Sequence, residues 1–168
     1  MLGQQACEAK SNEITGIPLL LDRLAIRGAL VTIDAMGCQT KIAQKVLDRE
    51  ADYLLAVKKN WPNLHAEIKR AFDDPAFGKS ATTGLLRHDT TDADHGRIEV
   101  RRHTVSHDVS FLQTDRRFPG EPRFPGLKAI AMVEAEVERG GKTTRERRFY
   151  LSSLALDATL FAHAVRSH

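Results

Sequence analysis

The sequence predicts a mixed α/β fold: a strand–helix–strand core, then an inserted antiparallel β segment, then a final helix. Two short apolar runs rich in β-branched residues, at residues 30–33 and 53–57, flank a stretch with helical spacing at residues 39–50. From about Phe77 the spacing changes from helical to alternating. Helical spacing returns near Asp157, which predicts that a helix closes the chain.

The first half of the chain is expected to alternate helices and strands. A helix entry begins at Ser11, and Gly28 is expected to end that helix. Two strands joined by a crossover helix of about a dozen residues form a βαβ unit, so they should lie parallel and adjacent. Trp61-Pro62-Asn63 opens the next helix, and Asp73-Asp74-Pro75 ends it.

The second half is expected to contain three strands before the last helix. Alternation over residues 96–105 predicts the first strand, and prolines and glycines predict a loop over residues 110–125. Residues 128–138 and 143–151 also read as strands. Arg139-Gly140-Gly141-Lys142 joins them and is a strong hairpin signal.

Composition is that of one soluble globular domain with a mildly basic surface. The chain has 168 residues, of which 42% are hydrophobic and 28% charged, with a net charge of +3. Its two cysteines, Cys7 and Cys38, give neither a disulfide framework nor a zinc pattern, which favours a reducing compartment. We find neither a membrane-spanning run nor a signal peptide, so we expect a cytoplasmic protein.

Asp34 is the candidate site residue that the residue pattern alone singles out. It follows the buried run at residues 30–33 directly, and a Gly-containing turn leads from it into the next helix. A strand that ends on a carboxylate presents an acid at the carboxyl edge of a sheet. The alternative is that Asp34 only caps the turn or helix, as aspartate often does. Lys58 and Asn60 end the parallel neighbour strand and should lie near it, or else form a solvated charge cluster.

Histidine spacing does not favour a metal site. His103 and His107 are four residues apart on a segment with strand-like spacing, whereas that interval brings two ligands together on a helix. We therefore expect plain surface roles. The sequence also favours no Ser-His-Asp or Cys-His arrangement and has no glycine-rich phosphate loop.

Three motifs, taken together, carry a resemblance that covers nearly the whole chain. They are VTIDAMGCQ at residues 31–39, YLLAVKKN at residues 53–60 and HGRIEVR at residues 95–101, with FPGLKAI and RRFYLSSLALDA following in order. The chain resembles the ISAs-type DDE transposases of bacterial insertion sequences. This implies an RNase H-like core with a β-rich insertion before its last helix.

The resemblance also implies domain boundaries, a cofactor and partners. Residues 1–76 would be a partial RNase H-like core, residues 77–152 the β insertion, and residues 153–168 the start of the core helix. Such enzymes break and rejoin DNA at insertion-sequence ends and at target DNA with Mg²⁺ or Mn²⁺, for which carboxylates are suitable ligands. Asp34 matches the second acid of the family, a catalytic metal ligand. The residues that match recurring positions able to contact DNA are Lys58, Asn60, His95, Arg97 and Arg101.

The departures from the family pattern concern the other two acids. The Asp-Gly-Lys motif that carries the first acid does not occur before Asp34, and the chain ends before the position of the third acid, a glutamate. Glu13 and Glu99 match no catalytic family position. We therefore expect a transposase truncated at both ends and inactive alone, and an open sheet edge beside residues 30–33 that favours aggregation or a homodimer.

Three functional interpretations remain open. The first is a transposase-derived chain for DNA transposition. The second is a non-catalytic DNA-binding or transposase-interfering module. For Arg97, the alternative to a phosphate contact is a pair with Glu99 or with an acid of a neighbouring strand. The third is an unrelated metal-dependent phosphodiesterase. Arg145, Arg147 and Arg148 are expected to form a solvated strand face.

Overall fold

The computed structural model describes residues 13–79, 84–94, 97–113 and 123–166. The described part of the first half alternates helices and strands, as the sequence predicts. Its elements are α1 (Glu13–Arg23), β1 (Leu30–Ile33), a 3₁₀ turn (Ala35–Gly37), α2 (Thr40–Asp48), β2 (Asp52–Val57) and α3 (Pro62–Asp73).

The described part of the second half contains four strands and two helices. Its elements are β3 (Leu86–Asp94), β4 (Arg97–Ser106), a short α4 (Ser110–Gln113), β5 (Ala129–Arg139), β6 (Lys142–Ser152) and α5 (Ala158–Arg166). The expected hairpin is present, because Arg139 pairs with Lys142 and both Gly140 and Gly141 have positive φ, at 58° and 76°.

The six strands of the described residues form one mixed sheet in the order β1-β2-β6-β5-β4-β3. β1 and β2 are parallel neighbours, as their crossover through α2 requires, and each of the other pairings is antiparallel. The hairpin of β5 and β6 thus joins directly onto β2. The prediction of a mixed α/β fold is confirmed, and it agrees with an RNase H-like transposase core.

The helices lie on the two faces of this sheet. One face, here called the α5 face, packs its apolar side chains against α5, and Leu54, Ala131 and Phe161 belong to that cluster. The other face carries the larger cluster with α1, α2 and α3, where Ile42, Tyr53 and Ile68 are fully buried. Burial on both faces explains the unbroken apolar run of β2.

Two expectations about single elements were wrong, and one strand was missed. The first helix ends at Arg23 rather than at Gly28, which has φ +73° in the turn before β1 and donates its N–H to Glu50 O at 2.8 Å. Part of the expected loop at residues 110–125 is the helix α4, while residues 114–122 lie outside the described part. Strand β3 was not assigned from the sequence.

None of the helices in the described residues is long and apolar enough to cross a membrane.

Candidate active site

The carboxyl ends of β1 and β2 bring Asp34 and Lys58 together. Each residue directly follows its strand, and the two strands are parallel and adjacent, so both ends reach the same sheet edge. Lys58 Nζ lies 3.7 Å from Asp34 Oδ1, and both side chains are largely exposed, at 62% and 73%. The structure therefore places an accessible carboxylate beside an ammonium group at this edge.

The 3₁₀ turn after Asp34 is fixed by side chains from the next loop. Asp34 Oδ1 accepts a hydrogen bond from Ala35 N at 2.6 Å, so the aspartate caps the turn. Asn60 Nδ2 donates to Ala35 O at 2.7 Å, and Trp61 Nε1 donates to Cys38 O at 2.6 Å. The backbone beside the carboxylate is thereby held in one arrangement.

Cys38 follows the 3₁₀ turn and packs into the core. Its side chain is completely buried, and burial raises the pKa of its thiol to about 12. The thiol therefore stays protonated and is not a nucleophile.

A cleft of about 660 Å³ opens next to Asp34. The hairpin forms its far wall, because the last residue of β2 pairs with Phe149 and residues 142–148 of β6 extend beyond it. Lys58, Arg148 and Tyr150 line the cleft together with Asp34. A carboxylate at the edge of a cation-lined cleft suits a phosphate-bearing substrate.

Arg148 is held by a carboxylate on its own strand. Its Nε and Nη2 donate to the two oxygens of Glu146, at 3.0 Å each. That hydrogen bonding lowers the pKa of Glu146 and raises the pKa of Arg148. Burial raises the pKa of Tyr150, an effect that the neighbouring Arg148 opposes and the charge of Asp34 reinforces.

A second hollow of about 360 Å³ continues from the cleft along the α5 face. The two hollows are adjacent, because they share the lining residues Glu146, Arg148, Tyr150 and Val165. Arg97 and Arg101 line the far end of the second hollow, on β4. We call the two hollows together, from Asp34 to Arg97, the trough.

Glu99 holds both of these arginines. Its Oε2 accepts from Arg97 Nη2 at 2.6 Å, and its Oε1 accepts from Arg101 Nε at 2.7 Å. The side chain of Glu99 is only 12% exposed, whereas Arg97 is 52% and Arg101 32% exposed. The expected alternative, an Arg97–Glu99 pair, is thus present, and it leaves the two guanidinium groups at the surface of the trough.

The sequence of the chain is similar to those of known proteins over nearly its whole length. The family described as transposase DDE domain matches residues 1–162. The chain belongs to this transposase family. It is 41% identical over 171 residues to the "Putative transposase YncI" of Escherichia coli O157:H7, covering 100% of this chain and 42% of that protein. It is also 36% identical over 175 residues to the "H repeat-associated putative transposase YhhI" of Escherichia coli K12, covering 100% and 43%.

This transposase-family chain therefore spans less than half the length of these relatives. No solved structure matches it significantly. Family membership removes the third interpretation, an unrelated phosphodiesterase.

The family implies a divalent metal in general, and Asp34 fits one part of that requirement. Mg²⁺ prefers oxygen ligands and usually takes one or two carboxylates plus phosphate oxygens and water. Asp34 offers an exposed carboxylate at the trough. In the described ranges, however, no group of three or more His, Cys, Asp or Glu side chains could enclose a metal.

The remaining candidate residues are placed as follows. Asn60 supports the turn through Ala35, and its Oδ1 accepts from Lys58 N at 3.2 Å. His95 and the side chain of Glu13 lie outside the part of the chain that can be described. His103 and His107 each contact a backbone carbonyl oxygen, of His88 at 3.0 Å and of Leu156 at 2.8 Å, rather than each other.

Sequence reasoning missed Glu146, Arg148 and Tyr150. Arg145, Arg147 and Arg148 were interpreted as one solvated strand face. Arg147 instead lies on the opposite side of β6 from Arg148, paired with Glu134 at 2.8 Å and Asp73 at 2.6 Å. The alternation of β6 was a usable signal, because it separates Arg148 and Tyr150 from Arg147.

Proposed function

We propose that this chain supplies part of the catalytic centre of a DDE transposase, which in the whole protein cleaves DNA strands and transfers them in DNA transposition. Asp34 serves as a catalytic metal ligand. The observation that carries the proposal is its exposed carboxylate at the carboxyl end of β1, beside Lys58 and at the mouth of the arginine-lined trough. Family membership supports the reaction class.

The metal in this proposal is Mg²⁺ or Mn²⁺. A bound divalent ion of this kind stabilises the charge that develops on the phosphodiester oxygens during cleavage. Asp34 would hold it, and the capped 3₁₀ turn orients the carboxylate for that purpose. Lys58 compensates the negative charge of Asp34 and of an approaching phosphate.

DNA is the substrate, and the trough orients its backbone. Lys58, Arg97 and Arg101 contact phosphates, and His95 belongs to the same group by its family position. Phosphate contacts fix the register of a strand without reading its sequence. Asn60 acts indirectly, through the turn that presents Asp34.

We propose that the 168-residue chain by itself binds DNA but does not cut it. Two metal ions need more carboxylates than Asp34 alone. Both carboxylate oxygens of Glu146 already accept hydrogen bonds from Arg148, so Glu146 is not proposed as a second metal ligand. In this proposal the other acids come from parts of the whole transposase beyond this chain. Residues 1–76 then form part of the core, residues 77–152 the insertion, and residues 153–168 begin the last core helix.

The second candidate function is a DNA-binding module that interferes with an intact transposase. The arginine-lined trough favours it, because phosphate binding needs the cations and not the acids. Both candidates predict DNA binding by the chain alone. They differ in whether the same surface takes part in strand transfer in the longer protein.

The test combines binding and cleavage by the chain as given. Fluorescence anisotropy with a labelled DNA duplex is measured across a salt series, and nicking of supercoiled plasmid is measured with Mg²⁺ or Mn²⁺. Asp34→Asn serves as the cleavage control. We expect salt-dependent binding and no nicking by either protein. Nicking that disappears in Asp34→Asn would show that the chain already holds a complete site, and absence of binding would contradict both functions.

A further inference from the structure

The carboxylate of Glu99 sits among arginines that the proposed function assigns to DNA. Alternate residues of a strand share one face, so the side chains of residues 97, 99 and 101 all lie on the α5 face of β4. Glu99 therefore lies between the two arginines. Its two oxygens contact one guanidinium each. Directly across the strand pair lies Asp92, another acid, which Arg166 approaches at 3.3 Å.

We propose that Glu99 is a positioning residue that holds Arg97 and Arg101 in a phosphate-binding arrangement for the DNA backbone. This inference rests on the proposed function and adds a residue that contacts no DNA itself. An acid beside a DNA-binding surface would ordinarily weaken binding by repelling phosphate. Here the acid strengthens binding through the arginines that it orders.

The physical reason is conformational entropy. A free arginine side chain has many rotamers, and its immobilisation on a phosphate opposes binding. Glu99 is largely buried, so its carboxylate is a fixed anchor, and the ordering of both arginines accompanies folding instead of DNA binding. Each guanidinium directs one nitrogen at Glu99, whereas it carries five N–H donors in all. Donors are therefore left for a phosphate.

The opposite face of the sheet offers a matched control. Glu134 on β5 also contacts two arginines, Arg147 at 2.8 Å and Arg102 at 3.2 Å, and its side chain is 22% exposed. In the sheet register, Glu134 lies opposite Arg102 on β4 and Arg147 on β6. Each of these positions is an odd number of residues from the positions of its strand that face the trough, so it lies on the other face. Replacement of Glu134 removes the same charge and the same kind of contact at a residue that lines neither hollow, although its partner Arg147 borders the cleft.

The experiment compares Glu99→Gln with Glu134→Gln in duplex binding by anisotropy over a salt series. We expect Glu99→Gln to weaken binding about fivefold and to reduce the slope of log K against log salt by about 1, as loss of a phosphate contact does. Glu134→Gln should bind within about twofold of the parent chain. Thermal unfolding of each variant shows whether it is folded.

A second background keeps the result interpretable if Glu99→Gln is less stable. In a chain carrying Arg97→Ala and Arg101→Ala, Glu99→Gln should cause no further loss of affinity, because it acts only through those arginines. Equal weakening in both backgrounds would overturn the proposal. Unchanged or tighter binding by Glu99→Gln in the parent chain would also overturn it, while leaving DNA binding itself intact. No DNA binding by the parent chain would overturn the proposed function as well.

Discussion

Asp34 has two physical roles that ordinary mutagenesis would confuse. Its Oδ1 accepts the Ala35 N–H at 2.6 Å and so caps the 3₁₀ turn, while its carboxylate remains 73% exposed beside Lys58. The two interpretations that the sequence left open, a turn cap and a presented acid, are therefore compatible in one residue. A substitution can remove the charge and retain the cap, or remove both.

We predict different stabilities for the two substitutions at this position. Asp34→Asn retains an oxygen that accepts from Ala35 N, so its free energy of unfolding should stay within about 0.5 kcal/mol of the parent. Asp34→Ala loses the cap and should be less stable by about 1 kcal/mol. Urea unfolding followed by circular dichroism measures both values. Equal losses would mean that the cap contributes nothing, and Asp34→Ala would then serve equally well in metal experiments.

Residue patterns located part of the site and could not locate the rest. Asp34 and Lys58 follow consecutive parallel strands, so their proximity follows from local spacing and the βαβ rule alone. Arg148 and Tyr150 reach the same cleft only because Tyr150 pairs with Ala56 across an antiparallel junction between distant segments. That register depends on the whole sheet and is not encoded in either strand separately.

At the scale of elements, the 3₁₀ turn depends on a close approach at Gly37. A Cβ at this position would lie 2.4 Å from Ile33 Cγ2 and 2.8 Å from Ile17 Cδ1. The turn therefore packs its backbone directly onto β1 and α1. Any side chain there would displace the turn that presents Asp34.

We predict that Gly37→Ala lowers the free energy of unfolding by about 1–3 kcal/mol, as overpacking does in well-packed interiors. Gly84→Ala is the matched control, because a Cβ there meets nothing within 4 Å and its φ is not positive. Thermal and urea unfolding of both variants test this. A Gly37→Ala variant as stable as Gly84→Ala would show that the turn shifts without cost.

Strongly periodic elements were predictable and weakly periodic ones were not. The apolar pattern of β2 and the glycine pair of the hairpin identified those elements directly. Strand β3, with the sequence LRHDTTDAD, shows no alternation of apolar and polar residues. It lies at the sheet edge and is a strand because β4 pairs with it along its whole length, a tertiary cause that propensity does not contain.

Packing of α5 onto the sheet buries His103, so the expectation of a plain surface role for this residue was wrong. The ring is 2% exposed and makes an edge contact with Phe161, with ring centroids 5.9 Å apart. Its Nδ1 donates to His88 O at 3.0 Å, since a carbonyl oxygen can only accept. Burial lowers the pKa of His103 from its ordinary 6.5, and the charges of His88 and Arg101 lower it further, whereas the hydrogen bond to His88 O and the charge of Asp89 oppose this shift in part.

We therefore predict a stability loss in mild acid. Below the ordinary histidine pKa of 6.5 the unfolded chain binds a proton that folded His103 resists, so this contribution is complete above pH 6.5 and decreases as the pH falls towards the lowered folded pKa. His65, whose pKa burial also lowers, acts in the same direction. His103→Asn should reduce the slope of unfolding free energy against pH in this window. Urea titrations between neutral pH and pH ~5 measure it, and an unchanged slope would contradict the assignment.

At the scale of the whole molecule, the two edges of the sheet differ in chemistry. β3 presents a polar and charged edge strand, LRHDTTDAD, which disfavours edge-to-edge pairing. β1 is the opposite edge, with the sequence LVTI and only partial burial of its four residues. Among the described strands it pairs with β2 alone. In the described part of the chain, this sheet order places residues 30–33 in an edge strand, as expected.

We predict that the chain self-associates through β1 in a concentration-dependent manner, because a short apolar strand at the edge of a sheet is a template for another strand. Light scattering coupled to size-exclusion chromatography over a concentration series should show a rising mean mass. Hydrogen exchange localises the contact: amides of residues 30–33 should become more protected as concentration rises, whereas those of residues 86–94 on the charged edge should not change. A monomer at every concentration, or protection that rises at β3 instead, would show that the apolar edge is not the surface that associates.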